Sequence, residues 1–240
     1  MQDIDILEIN FVLIIAAVIF LVTVIVGGIR GFIRSFFAAF SVIIAIVVAA
    51  YAGPYVGKMI QQTPVYSAIE TNIEIKLDEY SEAQAEKVTE QIDTINGYPI
   101  PDTIKKALIE NNNHQIYEAL GVDVFNEYIA AYMACLIINA LSFLLVLIFA
   151  LILLKVIETS LGLIGKLPIL HGLNTIGGVI LGGVHGMIVL WILCIVVTIF
   201  SWTEIGGLIS EEINDSVILK WIYDNNYLIS ILTNMSKMLF

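Results

Sequence analysis

Residues 9–57 read INFVLIIAAVIFLVTVIVGGIRGFIRSFFAAFSVIIAIVVAAYAGPYVG. Arg30 and Arg34 are the only charges in this stretch and the only arginines among the 240 residues. On either side of them run charge-free stretches, 9–29 and 35–57. A membrane-spanning helix needs about 20 apolar residues, so each stretch is long enough for one span. The glycines at 27, 28 and 31 allow the chain to turn tightly between them. This reads as a helical hairpin in a bilayer with two cations at its tip.

The same rule finds two more spans. Residues 128–154 and 167–203 are also charge-free. The last is too long for one straight crossing, since 37 residues make about 55 Å of helix against a hydrocarbon core of about 30 Å. The fourth span is therefore expected at about 177–200, with 167–176 as an interfacial or re-entrant lead-in near Pro168, Gly172, Gly177 and Gly178. Composition agrees, with 59% hydrophobic and 14% charged residues, where soluble domains average about 25% charged. The fold class is an all-α polytopic membrane bundle of four helices. A net charge of −11 argues against nucleic acid as a partner, because nothing offsets the phosphates. The N-terminal MQDIDILE is acidic, unlike the basic start of a signal peptide, and span one reads as retained.

Lysine and arginine in short loops set orientation. The 30–34 turn has two cations and no acid, and 155–166 has Lys155 and Lys166 against Glu158. Residues 1–8 carry three acids and no base, 58–127 five lysines and thirteen acids, and 204–240 two lysines and five acids. The two basic loops are expected to face the cytoplasm and both termini to lie outside. This divides the chain into 1–57, an extracytoplasmic helical insert at 58–127, spans three and four at 128–200, and a tail at 201–240.

Span two carries Ser41, Ala45, Ala49, Gly53 and Gly57, a small residue at every fourth position. Span four repeats the device with Gly178, Gly182 and Gly186. Such stripes let helix backbones come close in a membrane; they serve packing within one bundle or oligomerisation. In the insert, Thr63-Pro64 reads as an N-cap with proline at N1. Asn96-Gly97-Tyr98-Pro99, Asn111–Asn113 and Gly121 read as helix stops, and Asp123 as a cap for a helix running into span three. The tail reads as two amphipathic helices at the outer interface, with Trp221 and Tyr223 at headgroup level.

No Asp, Glu, Lys or Arg lies inside an expected span, which argues against an ion pump. His185 lacks an acidic partner in sequence and reads as structural. Nucleophile-elbow and phosphate-loop patterns are missing, and no metal or cofactor site is expected. Cys135 and Cys194 read as small apolar filler, and Asn139 as a polar contact between helices.

Two stretches together resemble the colicin V production protein family (CvpA). One is GGIRGFIRS at 27–35; the other is LPILHGLNTIGGVILGGVHG at 167–186. The resemblance covers about 10–57 and 128–200 and rests on Arg30, Gly31, Phe32, Arg34, Leu167, Pro168, Asn174, Gly178, Gly182 and Gly186. At Thr175 and His185 the sequence departs from bases often found in that family. The resemblance implies a small multipass protein of the bacterial plasma (inner) membrane, tied to colicin V-type toxin production or export and to envelope upkeep. Its expected role is a non-enzymatic scaffold or accessory factor. Its partners would be the lipid bilayer, further copies of itself or other envelope proteins. A subunit of a small channel or transporter is the competing expectation, drawn from the interrupted 167–203 stretch.

Overall fold

A computed structural model describes residues 10–80, 88–161 and 171–236. Leu167, Pro168, Lys166 and the acidic residues of 1–8 lie outside the described residues. Among the described residues, four helices are long and apolar enough to cross a membrane. They are α1 (Phe11–Arg30), α2 (Phe32–Gln61), α7 (Phe125–Leu161) and α8 (His171–Phe200). Between α2 and α7 lie α3 (Pro64–Tyr80), α4 (Val88–Gly97), α5 (Asp102–Asn111) and α6 (His114–Leu120). After α8 come α9 (Glu204–Asp215), α10 (Val217–Asp224) and α11 (Tyr227–Ser236). The described residues contain no strand.

The long helices pack as two antiparallel pairs, α1 on α8 and α2 on α7, and α2 also touches α8. α1 and α2 touch little, as do α7 and α8. The four therefore stand in the order α1, α8, α2, α7, with α1 at one side. Its outward side chains, including Ile15, Leu21, Ile25 and Ile29, are exposed, which suits hydrocarbon as solvent.

The small residues of α2 are used inside this chain. Ala45, Ala49, Gly53 and Gly57 are buried and Ser41 is half-buried. The stripe faces α7: a Cβ on Gly53 would lie 3.6 Å from the Phe143 Cα. Pro54 sits inside α2, and the helix continues past the expected end at 57 to Gln61, whose amide reaches the Cys135 sulfur at 3.4 Å.

The third charge-free run has two environments. Residues 128–140 of α7 are all buried, with Tyr128, Tyr132 and Met133 fully enclosed. Exposed apolar side chains begin at Leu145 and continue through Ile148, Phe149, Ile152 and Ile157. The expected span at 128–154 is thus half protein-enclosed. The insert and the tail form the enclosure. From α3, Ile73 and Leu77 are buried, and the Cys135 thiol donates to the Tyr66 oxygen at 3.8 Å. Tyr128 donates to the Leu108 carbonyl of α5 at 2.7 Å and stacks on Tyr117 of α6 at 4.9 Å. From α11, Leu228, Ile229, Leu232 and Met235 are buried. Each fully buried aliphatic or aromatic side chain contributes about 1.5–3 kcal/mol outside the bilayer, so this cap is a hydrophobic core in its own right.

Two expectations are corrected. The tail has three helices, not two, because Ser216 ends α9 and caps α10 in one residue. Tyr223 is not at headgroup level: it is buried, and its hydroxyl meets that of Thr198 in α8 at 3.0 Å. Trp221 does stay exposed. The α7 helix starts at Phe125, and just before it the Asp123 N–H donates to the Glu127 carboxylate at 3.1 Å.

Two tail carboxylates satisfy helix starts far away in sequence. The first turn of a helix leaves N–H groups without intrahelical partners, and a negative charge is favoured there. Glu212 of α9 accepts from Val12 N–H at 3.1 Å at the start of α1, while its backbone carbonyl accepts from the Asn10 amide at 2.5 Å. Asp224 accepts from Asp102 N–H at 3.1 Å at the start of α5, and its other oxygen pairs with Lys220 at 2.8 Å. Glu212→Ala is expected to cost about 1 kcal/mol, the usual worth of such a cap. Faster amide hydrogen exchange confined to the first turn of α1 is the measurement that checks it.

Candidate functional site

One residue, Gly31, separates α1 from α2. Its φ of 79° lies in the left-handed region, where any other residue is strained. The turn is closed by backbone bonds: Gly31 N–H to the Gly27 carbonyl at 2.9 Å and Ser35 N–H to the Gly31 carbonyl at 3.1 Å. The Ser35 hydroxyl also donates to the Gly27 carbonyl, at 3.2 Å.

Asn174, 142 residues away on α8, completes this turn. Its side-chain oxygen accepts from Phe32 N–H at 2.7 Å, one of the N–H groups that the start of α2 leaves open. Its amide lies directly against Gly31, so the space of a Cβ there is already taken. Gly177 lies beside Phe32, where a Cβ would be 3.1 Å from the phenylalanine Cβ. Gly178 rests on the Gly27 carbonyl and within reach of Gly31, 2.9 Å from its Cα to a Cβ position. One turn on, a Cβ on Gly182 would be 2.5 Å from the Thr23 carbonyl oxygen and 3.1 Å from the Gly27 Cα. Gly186 lies against Thr23 and Phe20. The two separated motifs are therefore one structure, a close crossing of α1 and α8 with an asparagine bolted to the turn.

This contact explains why α8 does not break where a break was expected. The helix runs unbroken from His171 through Gly177 and Gly178, so 171–176 are its first turns and not a re-entrant loop. The glycines are there for backbone contact, which in a membrane replaces the hydrophobic drive. At 30 residues the helix is about 45 Å long and must tilt or project beyond the hydrocarbon. Asn174→Ala is expected to cost roughly 1 kcal/mol through loss of the Phe32 bond, a fall of about 2–4 °C in melting temperature for a chain of this size. An unchanged melting curve in detergent would contradict that role.

Behind the crossing, α1, α2 and α8 line an open cavity of about 240 Å³. Thr23, Arg30, Ser35 and His185 are its polar lining, and Val22, Val26, Ala38 and Leu181 are among its apolar walls. The Thr23 hydroxyl donates to the Phe20 carbonyl at 2.7 Å. His185 Nδ1 is enclosed without a hydrogen-bond partner among the described residues. Arg30 stands at the rim, exposed, while Arg34 is exposed and does not line the cavity. Among the described residues no carboxylate lines it. The arrangement offers donors and one fixed positive charge, which suits holding an anion rather than proton transfer between an acid and a base. No group of three His, Cys, Asp or Glu able to hold a metal occurs among the described residues, and both cysteines are free thiols.

Sequence reading singled out Arg30, Gly31, Phe32, Asn174, Gly178, Gly182 and Gly186, and all of them meet here. It missed Thr23 and Ser35. The available signal was spacing: Thr23, Gly27 and Arg30 lie at i, i+4 and i+7 on one helix face.

A family model described as colicin V production protein matches residues 119–226. The matched stretch includes α7, α8 with Asn174 and the glycines, and the tail through α10; it omits the 27–35 turn, which packs onto it. Sequence resemblance placed the tail outside the family region or in weak agreement with it; the match runs to residue 226. No curated protein and no solved structure matches the chain.

Proposed function

We propose, from the match of the colicin V production protein model to residues 119–226, that the chain belongs to that family and is a non-enzymatic membrane scaffold serving toxin production or export and envelope maintenance. It sits in a bacterial plasma membrane with both termini outward and with the insert–tail cap on the outer face. The observation that carries this reading is the cap itself. Helices from the insert and the tail enclose the first half of α7, so a folded acidic surface is continuous with a membrane span. A rigid surface of that kind, held at a fixed height above the bilayer, is suited to docking another envelope protein. The thirteen acids of 58–127 favour a basic partner surface and a fast, salt-sensitive encounter.

A photo-crosslinking residue at exposed Gln115 or Thr89, introduced in the full chain in cells, tests this. Discrete crosslinked species with one or a few envelope or export proteins are expected. Crosslinking to lipid alone, or to none, would overturn the scaffold reading. The competing reading, a channel or transporter subunit, predicts solute or ion flux in proteoliposomes and access of thiol reagents along α8; neither is expected of a scaffold.

A further inference from the structure

The cavity between α1, α2 and α8 is chemically one-sided. Of its four polar side chains, Thr23 and Ser35 already direct their hydroxyl protons to backbone carbonyls. The polar groups that remain are the Arg30 guanidinium and the His185 imidazole, whose Nδ1 has no hydrogen-bond partner among the described residues. Among the described residues no acid lines the cavity and no carboxylate pairs with Arg30. At about 240 Å³ the space is smaller than the ~300–1,000 Å³ of drug-sized sites, so its occupant is a small group. Arg30 is the last residue of α1, which puts it at a bilayer face in either orientation of the chain. A buried imidazole nitrogen without a partner is uncommon and calls for one.

We propose that this cavity binds a phosphate group through Arg30 and His185, as the headgroup of an anionic lipid or as free inorganic phosphate. The planar guanidinium matches phosphate oxygens with two parallel N–H donors, and the imidazole N–H takes a third oxygen. The apolar walls raise the worth of that charge pairing over its value in water. Thr23 and Ser35 hold the backbone around the cavity and keep its floor in place. Bound phosphate would tie α1, α2 and α8 together at the crossing. This inference does not depend on the scaffold reading, since it concerns only the cavity's own residues.

The test uses the full chain purified in a neutral detergent, where orientation in the membrane has no bearing. Calorimetric titrations would be run with dioctanoylphosphatidylglycerol, with inorganic phosphate, and with dioctanoylglycerol as the phosphate-free control. Saturable binding of a phosphate-bearing compound and none of dioctanoylglycerol is expected. Arg30→Gln and His185→Gln should each weaken it by about 10-fold or more, the usual loss for a hydrogen bond to a charged group. Arg34→Gln should leave it within about 2-fold, because exposed charges away from a site contribute little. Binding of inorganic phosphate, in competition with the lipid, assigns a free anion; binding of the lipid alone assigns the headgroup. No saturable binding of either compound to the native chain overturns the proposal, whether or not the variants fold. So does an equal loss in Arg34→Gln and Arg30→Gln, which would mean diffuse surface charge. If Arg30→Gln does not fold, His185→Asn gives the same comparison.

Discussion

Replacing Gly182 by leucine is expected to lower stability by about 3 kcal/mol or more, the upper range for overpacking a well-filled site. For a chain of this length that is roughly 6–12 °C in melting temperature. The reason is what the new side chain meets. Its Cβ alone would stand 2.5 Å from the Thr23 carbonyl oxygen and 3.1 Å from the Gly27 Cα. Both are backbone atoms of α1, so no rotamer change relieves the clash and the helices must separate. Separation also pulls Gly178 from Gly27 and Gly31 and draws Asn174 away from Phe32 N–H. Gly183 is the control: a Cβ there is 3.8 Å from the nearest atom, the Phe20 ring, and Gly183→Ala should change little. Thermal unfolding of both variants in the same detergent checks the pair. Equal effects would mean that the crossing is not close.

The second large effect concerns orientation. Changing Arg30 and Arg34 together to glutamate should invert or scramble the α1–α2 hairpin, since these cations are the only charges between the first two spans and cations in short loops set direction. Reporter fusions at residues 58 and 240 are expected to report outside in the native chain, and the fusion at 58 should switch sides in the variant. Lys155 near the end of α7 still holds α7 and α8 in place, so an inverted hairpin would bring the wrong ends of α1 and α8 together and lose the Asn174 contact. Loss of folded protein should accompany the switch. A fusion at 58 that still reports outside would show that the arginines do not fix direction. Arg30 then has the cavity as its main role.

The spans were legible because the physics that creates them is one-dimensional. Charge-free length decides whether a helix can cross hydrocarbon, and four such lengths stand out. The local starts and stops were legible for the same reason: Thr63-Pro64 starts α3, α5 ends at Asn111 within the Asn111–Asn113 run, and Gly121 ends α6 with a φ of 72°. What sequence did not reveal depends on neighbours. An apolar residue reads alike whether lipid or protein covers it, so the enclosed half of α7 looked like ordinary span. Tyr223 looked like an interfacial aromatic because its partner, Thr198, is 25 residues away. The glycines of α8 signalled either a break or a contact, and only the position of α1 decides. The two motifs were visible one at a time. Their contact was not, because 142 residues separate Phe32 from Asn174.

The central claim is that the 27–35 turn and the start of α8 are one site within a single chain. A cysteine pair tests it most directly. At Phe32 and Gly177 the two Cβ positions are 3.1 Å apart, close to the 3.5–4.5 Å at which disulfides form. In a chain whose native cysteines are changed by Cys135→Ala and Cys194→Ala, Phe32→Cys with Gly177→Cys should form a disulfide on mild oxidation. After proteolysis between α2 and α7, the two fragments should stay joined in a species of monomer mass. No disulfide, or disulfides found only between chains, would contradict the account.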